Sequence, residues 1–121
     1  MIRYKKLEHS ESGTPIDLAT NQFNIEHILP QRAGDGWDQF NGVRQQQSIY
    51  RLANMVILEK SINKNIGNHP YKIKRESLKG STVKITTGLA NFYDDWTPDS
   101  IESRQKYLAK KAKTIWRINE I

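Results

Sequence analysis

The chain has 121 residues, a formal net charge of +6 at pH 7 and no cysteine. This length suits one domain with one hydrophobic core. The lack of thiols excludes disulfides and zinc sites built on cysteine. No apolar run approaches the roughly 20 residues that span a bilayer. The positive charge favours a polyanion such as nucleic acid as partner, although solubility alone can explain it, and we expect a cytoplasmic protein that does not bind a membrane.

The first predicted strand ends at two residues whose side chains can act as acids, bases or metal ligands. Residues 1–20 form a predicted N-terminal lead-in. From Gln22 to Ile28 polar and apolar residues alternate, which predicts a β-strand closed by Pro30. Glu26 and His27 therefore lie at the end of this strand.

The middle of the chain predicts a loop, a buried strand and a helix in that order. Residues 31–50 are rich in glycine and glutamine and are predicted to form a loop, with at most a short helical turn from Trp37 to Phe40. The apolar run from Leu52 to Leu58 predicts a buried strand. Glu59 to Ile66 can form about two helical turns, with Gly67 as the stop.

The last third of the chain is predicted to be mainly helical. A strongly basic helix is expected from Tyr71 to Leu78, and Thr82 to Thr86 forms a short strand or part of a loop. Thr97, followed by a proline and an aspartate, starts a helix that runs to about Arg117. Along this helix we expect an apolar stripe facing the core and basic residues in solvent: Ile101, Leu108, Ala112 and Ile115 on the stripe, and Arg104, Lys106, Lys110 and Lys113 outside it.

Four polar residues in these elements have the chemistry that phosphodiester hydrolysis needs. The reaction requires a base to deprotonate water and a cation to neutralise developing charge. His27 can serve as the base, and Glu26 and Asn63 can offer oxygens to a cation. Asn54 can hydrogen-bond the backbone or the ring around His27. An isolated histidine here would more often be a half-buried strand residue, and only the combination favours catalysis.

Three segments together resemble the His-Asn-Asn variant of the HNH, or ββα-metal, endonuclease motif. They are Asn24-Ile25-Glu26-His27-Ile28-Leu29-Pro30-Gln31, Leu52-Ala53-Asn54-Met55-Val56-Ile57-Leu58 and Ser61-Ile62-Asn63-Lys64. More closely, they resemble the C-terminal nuclease domain of GmrSD-type restriction proteins, a group that includes the SspE phage-defence nucleases. The end of the chain, from Trp96-Thr97-Pro98 to Ile115-Trp116, is similar to the last helix of that family.

The resemblance implies a fold and a set of roles. The fold is an α+β domain. Residues 21–80 hold a ββα-metal core, made of a short hairpin and a helix, together with the basic helix that follows it. A C-terminal helical part that includes a long helix occupies residues 81–121. His27 is implied as general base, Asn54 as the group that holds it in position, and Glu26 and Asn63 as ligands of one divalent cation.

The same resemblance extends to the cofactor and the partners. Mg²⁺ is the expected ion because the ligands are oxygens; Mn²⁺ would also be accommodated, and no structural zinc is expected. Lys72 or Lys74 could bind a phosphate next to the scissile one. DNA is the implied substrate. Members of the family usually carry an N-terminal NTPase-like sensor, so the chain is expected to be a domain excised from a longer defence protein.

Two other functions remain open from the sequence. The first is a nucleic-acid-binding module whose nuclease site is degenerate and whose basic helices supply the affinity. The second is a protein-interaction domain that uses the long C-terminal helix, which would need neither DNA nor a metal. Our leading hypothesis is a nuclease domain that nicks or cleaves DNA by one-metal hydrolysis, as the effector of a restriction or phage-defence protein.

Overall fold

The computed structural model describes residues 22–117, with side chains up to Ile115, and the predicted lead-in over residues 1–20 lies outside this range. The described part is an α+β domain with one antiparallel hairpin and five α-helices, the last of them long, which confirms the predicted fold class. Its elements are β1 (Phe23–His27), α1 (Gly42–Ile49), β2 (Met55–Glu59), α2 (Lys60–Asn63), α3 (Tyr71–Lys79), α4 (Lys84–Phe92) and α5 (Pro98–Arg117).

The register of the hairpin separates Glu26 from His27. Glu26 pairs with Val56 and His27 with Met55. Residues directly opposite each other in an antiparallel pair point to the same face, so Glu26 shares its face with the buried Val56 and His27 lies on the other. Both predicted strands are present, but β2 begins three residues later than predicted because residues 52–54 form a 3-10 turn.

Two predictions of local structure were wrong. The predicted loop over residues 31–50 contains helix α1, because glutamine and arginine favour helix and buried Ser48 and Ile49 attach its end to the core. The segment from Thr82 to Thr86 was predicted to be a strand or a loop, but its last three residues belong to helix α4. There the β-branched residues are outweighed by packing, since Thr86 is fully buried and its hydroxyl donates to the Ile57 carbonyl at 2.7 Å.

The short helix α2 folds back on the hairpin. It contacts both β1 and β2 and ends at Asn63, earlier than the predicted Ile66. Turns continue to Gly67, whose φ of +56° is the left-handed conformation expected at the predicted stop. Ile66 is 2% exposed and attaches these turns to the core.

One hydrophobic core joins the hairpin to the helices. The predicted helix α3 is confirmed, and its Tyr71 ring stacks on Trp96 with ring centroids 5.8 Å apart. Trp37 and Trp96 are buried, whereas the side chain of Trp116 lies outside the described part. Between residues 22 and 117, no helix combines the length and apolar character needed to cross a bilayer.

The long helix α5 starts as predicted but buries a cation. The Thr97 hydroxyl accepts a hydrogen bond from the Ser100 N–H at 3.2 Å, which is the predicted N-terminal cap. Arg104, predicted to lie in solvent, is 5% exposed, and Ala112, predicted on the core stripe, is exposed. The arginine faces inward because it is three residues after buried Ile101, and burial lowers its pKa to about 10.

Arg104 ties α5 to the start of β2. Its Nη1 donates to the carbonyls of Ala53 and Met55, both at 2.8 Å. We predict that Arg104→Leu lowers the free energy of unfolding by about 2–4 kcal/mol, because two carbonyls lose their donor. Denaturant unfolding of this variant beside Lys106→Leu, which removes an exposed charge from the same helix, measures the effect. Equal stability of the two variants would contradict the prediction.

Candidate active site

Glu26 and His27 stand at the end of β1, where the chain passes from the hairpin into the core. Both side chains are half-buried, and the next two residues, Ile28 and Leu29, are fully buried. The His27 ring meets the exposed Tyr50 ring edge-on, with centroids 5.9 Å apart and planes at 82°. The imidazole is therefore supported from one side by an aromatic ring.

Asn54 holds the backbone immediately after His27. Its Oδ1 accepts hydrogen bonds from the Leu29 N–H at 2.8 Å and from Trp96 Nε1 at 3.0 Å. Its Nδ2 donates to the carbonyls of Leu29 at 3.0 Å and Ile49 at 3.1 Å. These four bonds use the whole hydrogen-bonding capacity of the amide, and the residue is 0% exposed. The sequence predicted that Asn54 binds either the backbone or the imidazole ring around His27. In the structure Asn54 binds the backbone.

Lys74 is enclosed by the same strand end. It is 1% exposed, and its Nζ donates to Glu26 Oε2 and to the carbonyls of His27 and Ile28, each at 2.9 Å. Burial lowers its pKa below the ordinary value, while the hydrogen bond and charge of Glu26 act in the opposite direction. The ammonium also lies 5.8 Å from the centre of the Trp37 ring.

This enclosure corrects one prediction for the two lysines. All three N–H groups of Lys74 are used inside the protein, so its ammonium is not available to a DNA phosphate. Lys72, on the same helix, is exposed. The phosphate-binding candidate is therefore Lys72 and not Lys74.

The oxygens predicted to hold a cation are only partly used. Glu26 Oε1 and the Asn63 side chain make no hydrogen bond within residues 22–117, and none joins Asn63 to Glu26 or His27. Asn63 ends helix α2, which packs back on both strands. No group of three or more histidine, cysteine, aspartate or glutamate side chains is arranged to hold a metal in this part of the chain. A carboxylate oxygen and an amide oxygen fit a hard cation that keeps several waters, as Mg²⁺ does.

Lys74 faces inward, contrary to its predicted contact with DNA, although the pattern of helix α3 indicates this position. Tyr71, Lys74 and Leu78 follow each other at the spacing of one helix face, and all three are buried. A lysine on such a stripe indicates a cation that needs acceptors in the core. Of the other histidines, His69 is exposed, and His9 lies outside the described residues.

Comparison with known proteins identifies a family for the chain. The family model described as GmrSD restriction endonucleases, C-terminal domain, matches residues 1–111. No curated protein and no solved structure matches the chain.

The hydrogen bonds of Asn54 lead to a stability prediction. Asn54→Ala should lower the free energy of unfolding by about 3–5 kcal/mol, because the buried groups of Leu29, Ile49 and Trp96 lose their partner. Asn91→Ala, at an exposed position of α4, is the matched control and should change stability by less than about 0.5 kcal/mol. Denaturant unfolding followed by circular dichroism measures both. A loss below about 1 kcal/mol for Asn54→Ala would show that the amide does not hold the strand end.

Proposed function

Since this chain belongs to the family of C-terminal domains of GmrSD restriction endonucleases, we propose that it is an HNH-type DNA endonuclease domain that hydrolyses a phosphodiester with a divalent cation. The observation that supports this most is the strand end itself. Glu26 and His27 are consecutive residues there, on opposite faces of the hairpin, and the backbone that follows them is held by the buried Asn54.

In the proposed reaction His27 acts on water. Its imidazole accepts a proton from a water molecule, whose oxygen attacks the phosphorus; the bond to the 3′ oxygen breaks, and that oxygen keeps the electron pair and takes a proton from solvent. The edge-on contact with Tyr50 limits rotation of the ring. Asn54 acts through the backbone of Leu29 and is therefore a positioning residue and not a catalytic one.

Glu26 Oε1 and the Asn63 side-chain oxygen are the proposed ligands of the cation. When bound, Mg²⁺, or Mn²⁺ with the same donors, would neutralise charge on the phosphorane and on the leaving oxygen. The net charge of +6 draws the DNA, and Lys72 is proposed to contact a neighbouring phosphate. Within a restriction or phage-defence protein, an N-terminal sensor domain would decide which DNA reaches this site.

The general base gives the sharpest test of the activity. His27→Ala should reduce plasmid nicking in Mg²⁺ by a factor of about 10²–10⁴, because water loses its proton acceptor. DNA binding and thermal unfolding should stay close to those of the parent chain. The measurement is a gel assay of supercoiled plasmid, with excess EDTA as the metal-free reference.

His69→Ala is the matched control for that assay. It removes an exposed histidine that lacks the neighbours of His27, and its nicking rate should stay within about twofold of the parent. Undiminished nicking by His27→Ala, or nicking by the parent chain that EDTA does not stop, would overturn the proposed mechanism.

A second candidate function is DNA binding without cleavage. It is favoured by the ion pair between Glu26 and Lys74, which gives one of the two carboxylate oxygens a partner without any metal. This function predicts salt-sensitive DNA binding and no nicking in either Mg²⁺ or Mn²⁺. The plasmid assay therefore separates the two candidates.

The role proposed for Lys72 is tested by the salt dependence of DNA binding. Lys72→Ala should make the negative slope of log K against log salt shallower by about 0.9, the value for one lost phosphate contact. Lys110→Ala, which removes an exposed lysine from α5, serves as the control for a general loss of charge. Fluorescence anisotropy over a range of salt measures the slopes, and equal slopes for the two variants would remove Lys72 from the interface.

A further inference from the structure

The predicted metal ligand Glu26 already has a cationic partner. Lys74 Nζ lies 2.9 Å from Glu26 Oε2, and the two side chains are 1% and 16% exposed respectively. The carbonyls of His27 and Ile28 complete the shell of the ammonium, so the lysine cannot turn away without leaving three acceptors unpaired. This contact is therefore a fixed part of the strand end.

We propose that Lys74 is a positioning residue that neutralises Glu26, so that the divalent cation binds firmly only together with the DNA phosphate. The inference rests on the proposed function, because it takes Glu26 and Asn63 as the cation ligands. It goes beyond that function because it states when the cation binds: together with DNA and not before it.

The charges of the site support this order. Glu26 contributes −1, Lys74 contributes +1 and the Asn63 amide is neutral, so these three side chains have a net charge of zero. Within residues 22–117, no group of three or more histidine, cysteine, aspartate or glutamate side chains that could hold a metal adds to this charge. Affinity for hard divalent cations rises with the number of charged ligands, and a buried ammonium close to the ion opposes its binding. The scissile phosphate brings the negative charge that the protein side lacks.

Lys74 also orients the carboxylate. By taking Oε2, it restricts rotation of Glu26 and leaves Oε1 without a hydrogen bond from any described residue. A purely structural ion pair would use the same contact but would predict no effect on metal affinity beyond loss of fold.

Direct Mn²⁺ binding to the DNA-free chain tests the role of Lys74. Lys74→Met should bind Mn²⁺ at least tenfold more tightly than the parent chain, as followed by the electron paramagnetic resonance signal of free Mn²⁺. Lys79→Met removes an exposed lysine from the same helix and should leave the affinity unchanged. Unchanged or weaker Mn²⁺ binding by a folded Lys74→Met variant would overturn the inference.

A second measurement needs no change at Lys74 and decides the question even if that variant does not fold. In His27→Ala, which should not cut, a short DNA duplex should raise Mn²⁺ affinity at least tenfold, and Mn²⁺ should raise DNA affinity by the same factor. Equal Mn²⁺ affinity with and without DNA would refute the coupling while leaving the proposed metal site standing. No Mn²⁺ binding in either state would remove the proposed metal site, and the inference with it.

Discussion

The candidate site depends on one buried amide. Asn54 joins three parts of the chain that are distant in sequence: the residues after β1, the end of α1 and the loop before α5. Each of these contacts gives a hydrogen-bond partner to a buried backbone or indole group. Loss of the amide would therefore leave several buried polar groups without a partner. The position of His27 follows from this clamp, because the clamped backbone begins at the next two residues along the chain.

Two buried cations extend the same principle. Lys74 donates to carbonyls at the end of β1, and Arg104 donates to carbonyls at the start of β2. These strand ends lie side by side in the hairpin, where His27 pairs with Met55. A buried charge is costly unless it is hydrogen-bonded, and the carbonyls left over by the hairpin supply those bonds. The result is a pair of strand ends whose free carbonyls are bound by two buried cations.

The division between held and exposed groups fits the proposed chemistry. Glu26, His27 and Asn54 are attached to buried structure, whereas Lys72 and Tyr50 are exposed, and the Tyr50 ring contacts the imidazole. Reacting groups need a fixed geometry, while groups that meet a mobile polyanion can adapt. Family membership places this arrangement among the C-terminal domains of restriction endonucleases.

The sequence by itself determined both strands, helix α3 and the capped start of α5, and it predicted that Asn54 can bind the backbone next to His27. Those features follow from local periodicity, from capping residues and from the spacing of motifs. Helices α1 and α4 were missed because burial of Ser48, Ile49 and Thr86 against distant elements outweighs local composition. Only the tertiary structure decided which groups Lys74 and Arg104 bind. The helix stripe indicates that Lys74 faces the core, but the carbonyl acceptors of both cations come from residues roughly fifty positions away, and no local pattern contains that information.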